Sequence, residues 1–217
     1  MNCRGHETRK QIVHDYNVEC IAHIMLLNNQ TIHSDAEREI ENDYFVFICT
    51  HKTTEVKEKI VCGSGAAYDF LKLTNKKAPA LFNMLTHANE SLLNVEENNE
   101  SPQHHSFKDN TPSLEKDVPL LWNDAAKQLY NAIMVLIVAW NLKPGKIYDY
   151  LVEAQKYHYC KPFFSRVERI NQILYRNKTT ISEVLASLAK DNPNLREYQF
   201  DELTKILSEN NVKSFFI

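Results

Sequence analysis

Apolar positions follow two different periods along this chain, and the change of period divides it. From Ile12 to Met25 the apolar side chains (Ile12, Val13, Tyr16, Ile21, Ile24, Met25) sit near helical spacing, although Val18–Leu27 also reads as a strand. Tyr44–Thr50, YFVFICT, is aromatic and β-branched and predicts a strand. The polar stretch from His51 to Glu58 then predicts a turn, and Lys59–Cys62 a partner strand, so a β-hairpin is expected. Ala66, Ala67, Phe70, Leu71 and Leu73 suit a short helix stopped by Asn75 and Pro79, with a further short helix over Leu81–Leu85.

Beyond residue 118 the period is helical throughout, and the spacing predicts five helices: Leu120–Asn141, Lys146–Tyr157, Phe164–Asn177, Ile181–Lys190 and Phe200–Glu209. The first contains Ala132–Trp140, apolar on every side, as a central buried helix requires. Thr180 stands three residues before Glu183, in capping-box register. The apolar end of the tail, VKSFFI, predicts docking on the body. Between the two halves, residues 94–117 carry six acidic and two basic side chains with almost no apolar content, which predicts a flexible linker or long surface loop. The expected fold is therefore α+β and predominantly α. A module with a hairpin and short helices (1–93) is followed by the acidic linker (94–117) and a helical bundle (118–217).

Charge narrows the function classes. The net charge of −3 predicts no general attraction to nucleic acid or to an anionic membrane, so such binding requires a local patch. The longest apolar run, Ala132–Trp140, is about half of what crosses a bilayer, and no membrane partner is expected. Five cysteines, an odd number at irregular spacing, point to reduced thiols and a cytoplasmic location.

The patch that could bind an anion lies between Lys143 and Lys178, which holds eight basic side chains against three acidic ones. Seven aromatics, Tyr148, Tyr150, Tyr157, Tyr159, Phe163, Phe164 and Tyr175, are interleaved with them. On a helix Arg166, Arg169 and Arg176 fall within about an 80° arc, with Lys143 and Lys146 on one flank and Lys178 on the other. Guanidinium groups beside aromatic rings supply phosphate contact and base stacking together. Alternatively, the cations solvate the outer face of a bundle and the aromatics pack beneath them.

Two other constellations carry chemistry. Gly63-Ser64-Gly65 holds two of the four glycines and sits between a strand and a helix, where exposed N–H groups can take a phosphate. It lacks the Lys-Ser/Thr of a P-loop, and a tight turn with Ser64 as N-cap explains it equally. Cys49, His51 and Cys62 flank the hairpin, and a hairpin running into a helix at Cys62-Gly63 resembles the second half of a treble-clef zinc domain. Gly65 and Ala66 stand where such a half-site places its second cysteine, so core thiols are the preferred reading and no cofactor is expected. No GxSxG, HExxH or clustered-carboxylate signature is present. The expectation is a non-enzymatic protein that binds an anionic partner, most simply nucleic acid, through its basic and aromatic helical face. Alternatives are an adaptor or self-associating protein docking through apolar ends such as Phe215-Phe216-Ile217, or an enzyme holding a phosphorylated ligand at Gly63–Gly65.

Overall fold

In the computed structural model, residues 1–28, 30–86, 121–140 and 145–217 are described. The expected linker at 94–117, and Lys143 with it, lie outside them. The first half contains α1 (His6–Asp15), β1 (Tyr16–Met25), β2 (Ile32–His33), β3 (Glu39–Ile40), β4 (Asp43–His51), β5 (Lys57–Cys62), α2 (Ser64–Thr74) and β6 (Leu81–Phe82). The second contains α3 (Asp124–Trp140), α4 (Lys146–Lys156), α5 (Phe164–Arg176), α6 (Ile181–Ala189) and α7 (Asp201–Glu209). The fold is α+β and mainly α, as the two periods of the apolar pattern require.

The main sheet has the order β5-β4-β1-β6, with β1 antiparallel to β4, β4 antiparallel to β5, and β6 parallel to β1. Both faces are buried, which explains why YFVFICT is apolar without interruption. Tyr44 and Val46 of β4 enter one core with the C-terminal helices, while Phe45, Phe47 and Cys49 enter a second core with Ile12 of α1 and Ala67, Phe70 and Leu71 of α2. The ambiguity between helix and strand in Val18–Leu27 also has a physical origin. A bulge between Cys20 and Ala22 inserts Ile21 into β1, so the alternation changes phase there. Val18 faces the α1/α2 side, and Ile21, Ala22 and Ile24 face the helical half.

The two halves share the larger core, which runs from Ile21 through all five C-terminal helices to Phe216. Helix α3 is its axis, with Leu129, Ala132, Ile133, Met134, Val135, Leu136 and Ile137 all buried. Backbone pairing adds to the joint: Leu85 bridges Leu195, and Arg196 N–H donates to the Met84 carbonyl at 2.7 Å. Thr180 forms its capping box, its hydroxyl accepting from Glu183 N–H at 3.2 Å while the Glu183 carboxylate accepts from Thr180 N–H at 2.9 Å. Buried Asn171 pins the tail, donating to the Lys213 carbonyl at 2.8 Å and accepting from Phe215 N–H at 2.7 Å.

Three local expectations are corrected. Leu81–Leu85 is not a helix: Leu81–Phe82 pairs with His23–Ile24 as β6, because a free edge of β1 is available to it. Gly63, not Ser64, caps α2, and no side chain bonds to the first turn. The C-terminal end is not an exposed apolar tip, since Phe216 is 4% exposed, Phe215 is half-buried and Ile217 is exposed.

Candidate nucleic-acid interface

Helix α4 buries Ile147, Tyr148, Leu151 and Ala154, and α5 buries Val167, Ile170, Asn171 and Leu174. Both rows follow the three-and-four spacing of an amphipathic helix, so the remaining faces point outward. Between them runs Tyr157–Phe163, YHYCKPF, whose residues follow neither period. A turn from Tyr157 to Cys160, with Cys160 N–H donating to the Tyr157 carbonyl at 3.0 Å, breaks the helical path, and Phe163 takes the extended N-cap position of α5. Tyr157 and Tyr159 are 46% and 45% exposed and Phe163 is 74% exposed.

A segment from elsewhere in the chain completes this corner. Asn123 N–H donates to the His158 carbonyl at 2.8 Å, and the Trp122 ring lies 5.1 Å from the His158 ring. Leu121 and Trp122 are also exposed, so five of the ten exposed large apolar side chains among the described residues gather here. Clustering of that kind on a surface marks a contact site more often than scattered exposure does. Sequence reasoning missed Trp122 and His158 as members of the patch, because the contact joins residues 36 positions apart.

The cations differ in their freedom. The Arg166 Nε donates to the Glu153 carboxylate at 2.7 Å, and its guanidinium stands 5.0 Å from the centre of the Tyr150 ring. Lys156 lies 5.3 Å from the Tyr157 ring centre, and Lys161 reaches Glu209 at 3.7 Å. Arg169, Arg176 and Lys178 are exposed on or just beyond α5, and from Arg166 to Arg176 the row runs about 15 Å along the axis. The expected set is thus divided. Arg166 and Arg169 belong to the corner, Arg176 and Lys178 lie at the far end of α5, and Lys146 lies at the other end of α4. Beneath Arg166 a cleft of about 420 Å³ opens between α3, α4 and α5. Its floor includes Leu129 and Ala154, its walls include Tyr157 and Phe163, and Glu153 and Arg166 line it as an ion pair.

Gly63, Ser64 and Gly65 do lie together at the start of α2, on a second cleft of about 670 Å³. Neither glycine is there for a backbone reason: Gly63 has φ −78°, and a Cβ on Gly65 would meet nothing within 4 Å. The one positive-φ glycine is Gly5, the N-cap of α1, at φ 88°. Two of the three arginines on this cleft have carboxylate partners, while Arg38 is exposed beside Glu39 and Glu41. Arg4 donates to Glu37 at 2.7 Å; Arg9 donates to Asp69 and, at 2.9 Å, to the Cys3 carbonyl.

The third constellation is not brought together. Cys49 pairs with Glu58 across the ladder while Cys62 pairs with Phe45, four positions away along β4. Burial pushes the Cys49 thiol up to about 12, the neutral state of a packing side chain. The His51 ring accepts from the backbone N–H of Thr53 and Thr54, and lies 4.9 Å from Tyr16. Among the described residues no group of three or more His, Cys, Asp and Glu side chains is placed to hold a metal ion, and no helix is long and apolar enough to cross a membrane.

A family model matches residues 1–213, and the chain belongs to that family, described as Uncharacterised conserved protein UCP028583. No curated protein and no solved structure matches the chain.

Proposed function

We propose that this protein is a non-enzymatic binding protein that engages single-stranded nucleic acid at the corner where α4 turns into α5. The observation that carries the reading is the grouping of exposed rings, Trp122, Tyr157, Tyr159 and Phe163, with the cations Lys156, Lys161, Arg166 and Arg169. Exposed rings are stacking platforms for unpaired bases, and the cations supply the phosphate contacts. A duplex hides the faces of its bases, so single strands suit the site better. Because the chain is acidic overall, the attraction is confined to this stretch.

The test is fluorescence anisotropy with single- and double-stranded DNA and RNA between ~50 and ~200 mM salt. Three to five phosphate contacts on a single strand predict a loss of roughly 15- to 130-fold in affinity over that range. Charge reversal at Lys156, Lys161 and Arg169 together flattens the salt dependence. Absence of binding at low salt, or a reversed variant that binds with an unchanged slope, removes the reading. One observation favours a second: Leu121, 89% exposed, is aliphatic and no stacking platform. A protein partner or a second copy covering the same patch would bury it, and light scattering at increasing concentration would detect self-association.

A further inference from the structure

Resting on that reading, we propose that the cleft between α3, α4 and α5 receives one unstacked base of the bound strand, and that Glu153 makes guanine the preferred base. The cleft, about 420 Å³, is within the size range of ligand pockets and is mostly apolar. Leu129 and Ala154 offer a floor without hydrogen-bonding groups, while Tyr157 and Phe163 offer rings. The Tyr150 ring is already covered by the Arg166 guanidinium, so stacking falls to those two.

The polar end of the cleft decides between ligands. Arg166 Nε donates to Glu153 Oε2 at 2.7 Å, which neutralises the arginine and fixes the carboxylate. Among the described residues none donates to Glu153 Oε1. An amphipathic anion such as a fatty acid would bring its own carboxylate against Glu153, with only Lys161, already 3.7 Å from Glu209, to offset it. A neutral planar ring with N–H donors on its edge satisfies the open oxygen instead. Guanine presents two adjacent N–H donors on its Watson–Crick edge, which matches a carboxylate. Thymine presents one and adenine a single amino group. Unstacked bases held between aromatic rings and read on that edge are the usual mode of single-strand recognition.

Cys160 gives a direct readout. It lines this cleft and is exposed, whereas Cys3, Cys49 and Cys62 are buried and Cys20 is half-buried. The experiment uses thymidine nonamers whose central residue is thymine, guanine or an abasic site. It measures their affinity, and the rate at which Cys160 reacts with an aromatic disulfide reagent, on the full chain. The guanine nonamer binds roughly 5- to 150-fold tighter than the abasic one and slows modification of Cys160. Glu153→Gln brings the ratio of guanine to thymine nonamer affinities to about 1. Cys160→Trp, which fills the cleft from an exposed position, makes the three nonamers bind alike.

Equal affinity of the three nonamers for the unmodified protein, with a steep salt dependence, overturns base insertion and leaves the single-strand reading standing. No binding of any nonamer at low salt overturns both. Protection of Cys160 by an aromatic amino-acid amide but not by the nonamers assigns the cleft to a partner's side chain and overturns the proposal.

Discussion

The α2 N-terminus and the α4–α5 corner are both clefts with arginines on them, but their chemistry differs. At α2, Arg4 is paired with Glu37 and Arg9 with Asp69, and Glu39, Glu41 and Asp43 line the same cleft. A helix N-terminus attracts anions, but the carboxylates that line the cleft around this one oppose a further anion. At the corner, Arg166 alone is tied down closely, by Glu153, while Arg169 is exposed and the neighbouring rings stand in solvent. A count of basic residues does not separate the two sites. What separates them is how many carboxylates surround the cations, and whether apolar surface is left uncovered beside them.

The largest effect that sharpens this contrast comes from the core under α2. Phe70 is fully buried with its ring centre 5.2 Å from that of Phe47, and it belongs to the smaller of the two cores. Phe70→Ala is expected to cost about 3–5 kcal/mol in urea unfolding. Since the corner is built on the other core, nucleic-acid affinity per folded molecule stays unchanged; a parallel loss would show that the corner depends on the α2 side.

Next comes the Arg9–Asp69 pair, whose side chains are 14% and 17% exposed. Burial raises the Asp69 carboxyl, but hydrogen bonds from His6 and Arg9, with the charge of Arg9, outweigh it and hold the group below the usual carboxylate range. A carboxyl lowered on folding stabilises above its unfolded value, near 3.9, and that stability is lost as pH falls through the lower folded value. Asp69→Asn should therefore cost roughly 1.5–3 kcal/mol at neutral pH. The difference from the parent closes as pH falls below about 4. A gap that persists unchanged at pH 2 would mean that the pair contributes by shape and not by charge.

The contrast also explains what was legible in the sequence. All five C-terminal helices stand within a few residues of where their apolar spacing puts them, because each rests one face on a shared core. Thr180 and Glu183 were readable for the same local reason. Leu81–Phe82 was not, since a two-residue parallel strand exists only by virtue of the edge it pairs with. Nor was the phase change at Ile21, which is a property of the ladder and not of β1 alone. Of the corner, the residues from Tyr157 to Arg169 could be found as a basic and aromatic stretch. Trp122 and the division between paired and exposed arginines depend on tertiary contacts, and no local pattern carries them.

A smaller effect should separate binding from stability at the corner itself. Phe163, 74% exposed, contributes little packing, so Phe163→Ala is expected to change unfolding by at most about 0.5 kcal/mol. If a base stacks on it, single-strand affinity falls by about 1–3 kcal/mol. Loss of stability without loss of affinity would place the ring among structural side chains and make the corner resemble the α2 cleft.

The smallest effect is the one that addresses the comparison itself. Arg4 and Arg169 are both exposed arginines, and removing either charge alters the net charge of the chain equally. Net charge therefore falls equally in the two variants, and a difference between them reports where the charge lies relative to the corner. Arg4→Gln breaks an exposed ion pair with Glu37 that water and salt screen, and leaves the salt dependence of binding as it was. Arg169→Gln removes one phosphate contact, so the slope of log affinity against log salt becomes shallower by about 0.7, for every single-stranded sequence alike. Equal slopes for the two variants would mean that the corner attracts nucleic acid only through the overall field. The exposed rings would then be a surface for a protein partner.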